Sequence, residues 1–403
     1  MKILQINAVY PVGSTGKIVN DIHTQLIEHG HESIICYGRG IKVKKNNIYK
    51  IAPEFIMKLQ SLRSKLTGYA YAGCYYSTYK LIHIIEKEKP DIVHLHCINS
   101  YIVNIYKLLN YLKKNNFHTV LTLHAEFMYT AGCGYAIECN KWKSGCNHCP
   151  QKGKGRPSSK IFDRSAEEWG IMQKAYGQYN NIIIVSVSKW LYNRASESPF
   201  YKDKQLEIVL NGIDTDNTFK PTDVAELKSK FNIESEKIVL HVTANFSNPI
   251  KGGKYVLELA KRLGDENIRF FIIGLNSDKG ILPRNVTAIP SITDQKELAA
   301  FYSLADLTVL TSKKETFSMI CAESLACGTP VVGFEAGAPE TIALKQFSKF
   351  VQQGNIDELD SCVRQWVDKK QEFGDLIYKE ASRTYSKELM FEKYCDLYKR
   401  WLK

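Results

Sequence analysis

Short apolar runs alternate with amphipathic helical stretches along most of this chain, and that alternation constrains its fold more than any other feature. Residues 2–9, Lys-Ile-Leu-Gln-Ile-Asn-Ala-Val, read as a buried strand. A loop from Tyr10 to Gly16, holding Pro11 and two glycines, comes next. Ile18, Ile22 and Leu26 then recur at spacing four, as on one face of a helix. Ser33–Tyr37, Asp91–His96, Thr119–His124 and Ile182–Ser186 repeat the strand, with helical stretches between them. Strands separated by helices must cross over to pair, so the pattern implies a parallel sheet covered on both faces.

A second series begins further on. Lys237–Val242, Arg269–Ile273, Leu307–Thr311 and Pro330–Phe334 read as strands, and Tyr255–Leu263 and Met319–Ala326 as helices. Between the series lies a turn-rich segment, Val209 to Pro221. The fold class is therefore α/β, with two Rossmann-like parallel-sheet domains and a ligand cleft expected between them. The expected domains are residues 1–212 and 213–385. A terminal helix, 386–403, carries the apolar stripe Met390, Tyr394, Leu397, Trp401 and is expected to pack back on the first domain. A length of 403 residues fits two domains of ordinary size.

The charge balance is basic: 54 Lys and Arg against 42 Asp and Glu, a formal +12. Such a chain attracts anions of many kinds. No apolar run is long enough to span a bilayer, and Met1 to Tyr10 has no signal-peptide pattern, so a cytoplasmic protein is expected.

Three segments carry chemistry. Gly13-Ser-Thr-Gly16-Lys17 resembles a P-loop but fails its spacing, because Pro11 stands where the first glycine belongs and Ile18 follows the lysine. It reads either as an ordinary strand-to-helix turn or as a close backbone approach to an anion. Lys251-Gly-Gly253 opens a helix after a strand, and a lysine beside glycines there can clamp a diphosphate. In Ser312-Lys-Lys-Glu315-Thr-Phe-Ser-Met-Ile-Cys-Ala-Glu323, two carboxylates stand eight residues apart. Helical geometry would make that a rise of ~12 Å, about the span from a nucleotide's ribose to the sugar on its diphosphate.

These pieces together resemble a retaining, nucleotide-sugar-dependent glycosyltransferase of the GT-B fold, of the family-4 type (glycosyl transferases group 1). The resemblance also rests on Pro-Asp-Ile-Val-His-Leu-His at 90–96, Thr-Leu-His at 122–124, Val-Ser-Lys-Trp at 187–190, Val-Leu-Asn-Gly-Ile-Asp at 209–214 and Gly333-Phe-Glu-Ala-Gly-Ala-Pro-Glu340. It implies a hexosyl transfer from a UDP- or GDP-sugar to a glycan or lipid-linked acceptor, with retention, in bacterial surface polysaccharide assembly such as capsule or lipopolysaccharide. It implies that Glu323 holds the donor ribose. Glu315, with the backbone of Thr316, Phe317, Ser318 and Met319, would hold the transferred sugar. Lys251 would neutralise the diphosphate, Gly16 would bring backbone near it or the acceptor, and His124 would contact the reacting sugar. No catalytic metal is implied. Three positions depart from the family pattern: Asn245 replaces an arginine, Ala125 an aspartate, and Ser318 a glycine. A nucleotide-sugar epimerase of the same fold, and an inactive glycan-binding homologue, are the alternatives.

Eleven cysteines are spread along the chain, and four cluster as Cys133, Cys139, Cys146 and Cys149. Four thiolates in that space suit a closed structural zinc site, and reduced thiols or a redox-labile pair are the other reading. The resemblance assigns this Cys-rich insertion to a subgroup. Basic residues also cluster. Eight cations stand between Arg39 and Lys65 against one acid, Glu54, and six between Lys141 and Lys160 against none. Either these are solvated loops, or they meet an anionic membrane and place the protein peripherally at its inner face. Nucleic acid is not expected, since no nucleic-acid motif accompanies the charge.

Overall fold

The computed structural model describes residues 1–276 and 282–403. It divides into two compact units, Met1–Leu210 with Phe391–Lys403, and Asn211–Met390. Both are parallel α/β sheets, as the alternation requires.

The first unit contains β1 (Lys2–Val9), β2 (Glu32–Arg39), β3 (Ile48–Lys50), β4 (Ile92–Leu95), β5 (His118–Leu123), β6 (Ile182–Ser186) and β7 (Gln205–Ile208). They form one sheet in the order β3-β2-β1-β4-β5-β6-β7, parallel throughout. Chain order reverses between β1 and β4. Such a switch point opens a crevice at the carboxyl ends of the strands. Ile3, Leu4, Ile6, Val93 and Leu95 are buried completely, as central strands covered on both faces demand. The helix Lys387–Trp401 supplies Tyr394, Leu397 and Tyr398 to this unit's core. Within the unit, the Tyr398 hydroxyl lies 2.7 Å from His94 Nδ1 and Arg400 pairs with Glu207.

The second unit contains β8 (Lys237–Val242), β9 (Ile268–Ile273), β10 (Val286–Ile289), β11 (Leu307–Leu310), β12 (Val331–Phe334) and β13 (Ser348–Val351). Their order is β10-β9-β8-β11-β12-β13, again all parallel, and here the reversal lies between β8 and β11. The core below joins Val239, Phe270, Leu307 and Val332 to the helices Gly253–Arg262 and Ile356–Trp366.

Two local expectations are corrected. The loop expected over Tyr10–Gly16 ends early, because the helix Gly13–Glu28 starts at Gly13. The helix covers Met319–Ala326 as expected and Glu315 lies in the loop before it, but helical rise does not measure their separation, because Ser318 has φ +82°. A left-handed residue cannot continue a right-handed helix.

Candidate functional site

In the second unit the site forms where β8 and β11 end. The chain leaves β8, turns through Asn245 and Asn248, and reaches Lys251. Gly252 adopts φ +69°, and a side chain there would overlap the carbonyl of Thr311 just past β11. Glycine therefore allows this turn to press against the neighbouring strand end. Two bonds tie it down: Thr311 Oγ1 donates to the Lys251 carbonyl (3.1 Å), and the Lys313 amide donates to the Ile250 carbonyl (2.7 Å). Lys251 Nζ is thereby carried to 2.6 Å from Glu315 Oε1.

Glu315 is fixed through its own backbone. Its amide donates to the Ala336 carbonyl (2.9 Å), and the Ala338 amide donates to its carbonyl (3.2 Å). The Glu340 carboxylate grips the same loop by accepting the amides of Ala336 (3.1 Å) and Gly337 (2.8 Å). Glu340 thus positions Glu315, a role that its place at the end of a sequence motif did not reveal. Thr316, Phe317 and Ser318 are buried behind Glu315, and Ser318 Oγ caps the helix Met319–Ala326 by accepting the Cys321 amide. Glu323 lies in that helix's second turn, and the Tyr302 hydroxyl donates to its Oε2 at 3.0 Å. Burial, with the Glu323 carboxylate beside it, holds the Tyr302 phenol well above its ordinary range, so it stays a donor. Tyr302 had no signal in the sequence beyond being an aromatic residue in a helix.

Next to Lys251 is a cavity of about 480 Å3, lined by Phe246, Gly252, Gly253, Leu257, Leu275 and Lys313 among others. Its apolar walls with glycine backbone at a helix start suit a planar ring system carrying an anionic tail. Asn245 is exposed at its edge; its side chain accepts the Ser247 amide at 3.1 Å and shapes the turn.

In the first unit, His124 follows β5 directly. Its Nε2 lies 3.2 Å from His96 Nδ1, and His96 Nε2 lies 3.2 Å from Gln5 Oε1. An amide oxygen only accepts, so His96 carries its proton on Nε2. Neutral His96 then accepts at Nδ1, and His124 donates from Nε2. Burial holds His124 down to about 4 and His96 well below the usual imidazole range, so both are neutral near pH 7. Gly16 is buried in the first turn of its helix, where a side chain would press on the Val9 carbonyl and Pro11.

The cysteine insertion also belongs to the first unit. The closeness of Cys133 and Cys149 raises the Cys133 thiol and lowers Cys149 to about 6; Cys146 stands in electrostatic range of both, and Cys139 in range of Cys146. The donor atoms suit zinc, but among the described residues no three His, Cys, Asp or Glu side chains converge to hold a metal ion. A neighbouring anchor, Arg156, is fully buried against fully buried Glu168.

Residues 223–383 match the family model for glycosyl transferases group 1. The matched residues all lie in the second unit. Over the whole chain, the "Putative colanic acid biosynthesis glycosyl transferase WcaC" of Escherichia coli K12 is 22% identical across 99% of both sequences. Among solved structures, sucrose-phosphate synthase from Thermosynechococcus elongatus superposes with a TM-score of 0.72 at 14% identity over 99% of both chains. Anabaena Alr3699/HepE in complex with UDP-glucose gives 0.65 at 14% identity, covering 98% of this chain and 99% of that one. These likenesses establish the GT-B architecture. Among the matched residues are Lys251, Glu315, Glu323 and the lining of the cavity; His124, Gly16 and the clustered cysteines Cys133, Cys139, Cys146 and Cys149 lie in the other unit.

Proposed function

We propose that this chain is a retaining glycosyltransferase that moves a hexose from a UDP- or GDP-sugar to a glycan or lipid-linked acceptor in bacterial surface polysaccharide assembly. The observation that carries the reading is the convergence of Lys251 and Glu315 beside a glycine-walled cavity, with Glu323 on the helix that follows. The base would enter the cavity, and its diphosphate would meet Lys251 and the start of the helix Met319–Ala326. Glu323 would accept the ribose hydroxyls and Glu315 those of the sugar.

The bond from the anomeric carbon to the diphosphate oxygen breaks, and the acceptor oxygen bonds to the same face. The acceptor's proton passes to the leaving phosphate. Catalysis then rests on positioning and on charge stabilisation by Lys251. The diphosphate is met by lysine and backbone, without a catalytic metal. Neutral His124 would contact the reacting sugar. The protein works in the cytoplasm. The cysteine cluster is structural in this proposal. A zinc ion there requires the four sulfurs to draw together, and elemental analysis of the purified protein reads its presence directly.

The test is a donor panel of UDP- and GDP-sugars, following release of nucleoside diphosphate for wild type and Glu323→Ala. Transfer lost in the variant is the expected result. Donor isomerisation without acceptor would point to an epimerase, and no turnover with any pair to a binding protein.

A further inference from the structure

The helix Glu54–Thr67 in the first unit is turned inside out. Met57 and Ser64 are its buried residues. Phe55, Leu59, Leu62 and Leu66 face solvent, exposed by 62%, 58%, 52% and 64%. Their spacing of four, three and four places them on one stripe. At about 100° per residue, Lys58 and Lys65 border the stripe on one side and Arg63 on the other. Beyond the helix end, Phe162 lies beside Gly68 and is, with Ile161, a further exposed apolar side chain.

Charge indicates what covers this face. The single acid between Arg39 and Lys65, Glu54, is paired with Arg39 at 2.9 Å. Lys42, Lys44, Lys45, Lys58 and Lys65 are all exposed. An apolar stripe bordered by cations on both sides complements an anionic lipid surface: acyl chains take the leucines and headgroups take the lysines. Among the described residues no helix is long and apolar enough to cross a membrane, so the contact is one of a helix lying in the interface.

We infer that the helix Glu54–Thr67 docks this protein on an anionic bilayer, with Phe55, Leu59, Leu62 and Leu66 at the acyl boundary. The sequence located the cations; the outward leucine stripe is a product of the fold. The inference bears on a lipid-linked acceptor, but its test uses no transfer reaction and so fails or stands apart from the proposed activity.

The full chain is sedimented with vesicles of phosphatidylcholine and phosphatidylglycerol, and with phosphatidylcholine alone. Binding to the mixed vesicles that weakens with added salt is expected. The double variant Leu59→Ser, Leu62→Ser should lose about tenfold or more of that binding. Lys58→Ser with Lys65→Ser should weaken it and flatten the salt dependence. Both pairs are exposed, so unchanged circular dichroism and melting temperature should certify the fold. Equal binding by the leucine variant and wild type would overturn the inference, as would absent binding to mixed vesicles. So would a concentration-dependent dimer that the leucine variant abolishes.

Discussion

Lys251 Nζ and Glu315 Oε1 stand 2.6 Å apart, although 64 residues separate them in sequence. The pair is assembled by backbone: Gly252 lets one partner's turn press on Thr311, and the Ala336–Ala338 loop holds the other. A donor's diphosphate would compete with Glu315 for the ammonium, and its sugar would compete with Lys251 for the carboxylate. Substrate would thus exchange one ion pair for two interactions.

Removing each partner should therefore act differently. Lys251→Ala deletes charge stabilisation of the leaving group and should lower kcat by about 100-fold or more. Glu315→Gln keeps the shape but weakens hydroxyl acceptance, and should lower kcat/KM for the sugar nucleotide with little change in affinity for the free nucleoside diphosphate. Steady-state kinetics beside calorimetric binding of the diphosphate separates the two. Equal losses in both variants would refute separate roles.

Tyr302 offers a finer test. Its hydroxyl holds Glu323 Oε2 at 3.0 Å from within the core. A hydrogen bond to a charged group contributes about 1.5–3 kcal/mol. Tyr302→Phe should raise KM for the donor roughly tenfold or more through a misplaced carboxylate, while kcat changes less. An unchanged KM would show that the helix alone orients Glu323.

How much of this was legible in the sequence follows from where energy is local. Strands buried on both faces, such as β1 and β8, read as continuous apolar runs, and their limits agree with the structure. Four edge strands, β3, β7, β10 and β13, did not stand out, because each is short and half-covered. Lys251 and Glu315 were visible because glycine and turn residues mark the loops that carry them, and Glu323 by its fixed spacing from Glu315. Tyr302, Glu340, Gln5 and His96 were not picked out as site residues, because their roles come from three-dimensional contact and have no spacing rule. The helix Glu54–Thr67 shows the reverse failure. Its periodicity gives an apolar face, but only the fold says which way that face turns.

Arg156 and Glu168 anchor the cysteine insertion to the first unit. Both are fully buried, and Glu168 also accepts the amides of Ala70 (2.8 Å) and Tyr71 (3.0 Å) and the hydroxyl of Tyr106 (2.7 Å). Arg156 donates in turn to the Ala131 carbonyl at 2.8 Å. Deleting one member strands a buried charge, so Arg156→Ala should cost about 3–5 kcal/mol. Urea unfolding followed by circular dichroism measures it. A loss under about 1 kcal/mol would show that the pocket hydrates instead.

The buried histidines set the acid limit of stability. Burial depresses His94 and His96 well below the usual imidazole range, and His124 and His241 to about 4. In the unfolded chain each takes up its proton near 6.5. Below that pH the unfolded state binds more protons than the folded one, so folding weakens as pH falls from about 6.5 toward 4. Each such histidine adds up to ~1.4 kcal/mol per pH unit to the slope over its window. Carboxylates titrate at the lower end of the same range, so the discriminating measurement is differential. His96→Gln removes one proton-binding group from both states. The variant should melt below wild type at pH 7.5, because it breaks the line from Gln5 to His124. The gap between the two melting temperatures should narrow at pH 5, where wild type alone bears the cost of keeping that imidazole neutral. A gap that stays constant with pH would mean that folding leaves the His96 pKa unshifted, and a gap that widens toward pH 5 would mean that the fold favours the protonated ring, which would overturn the neutral assignment.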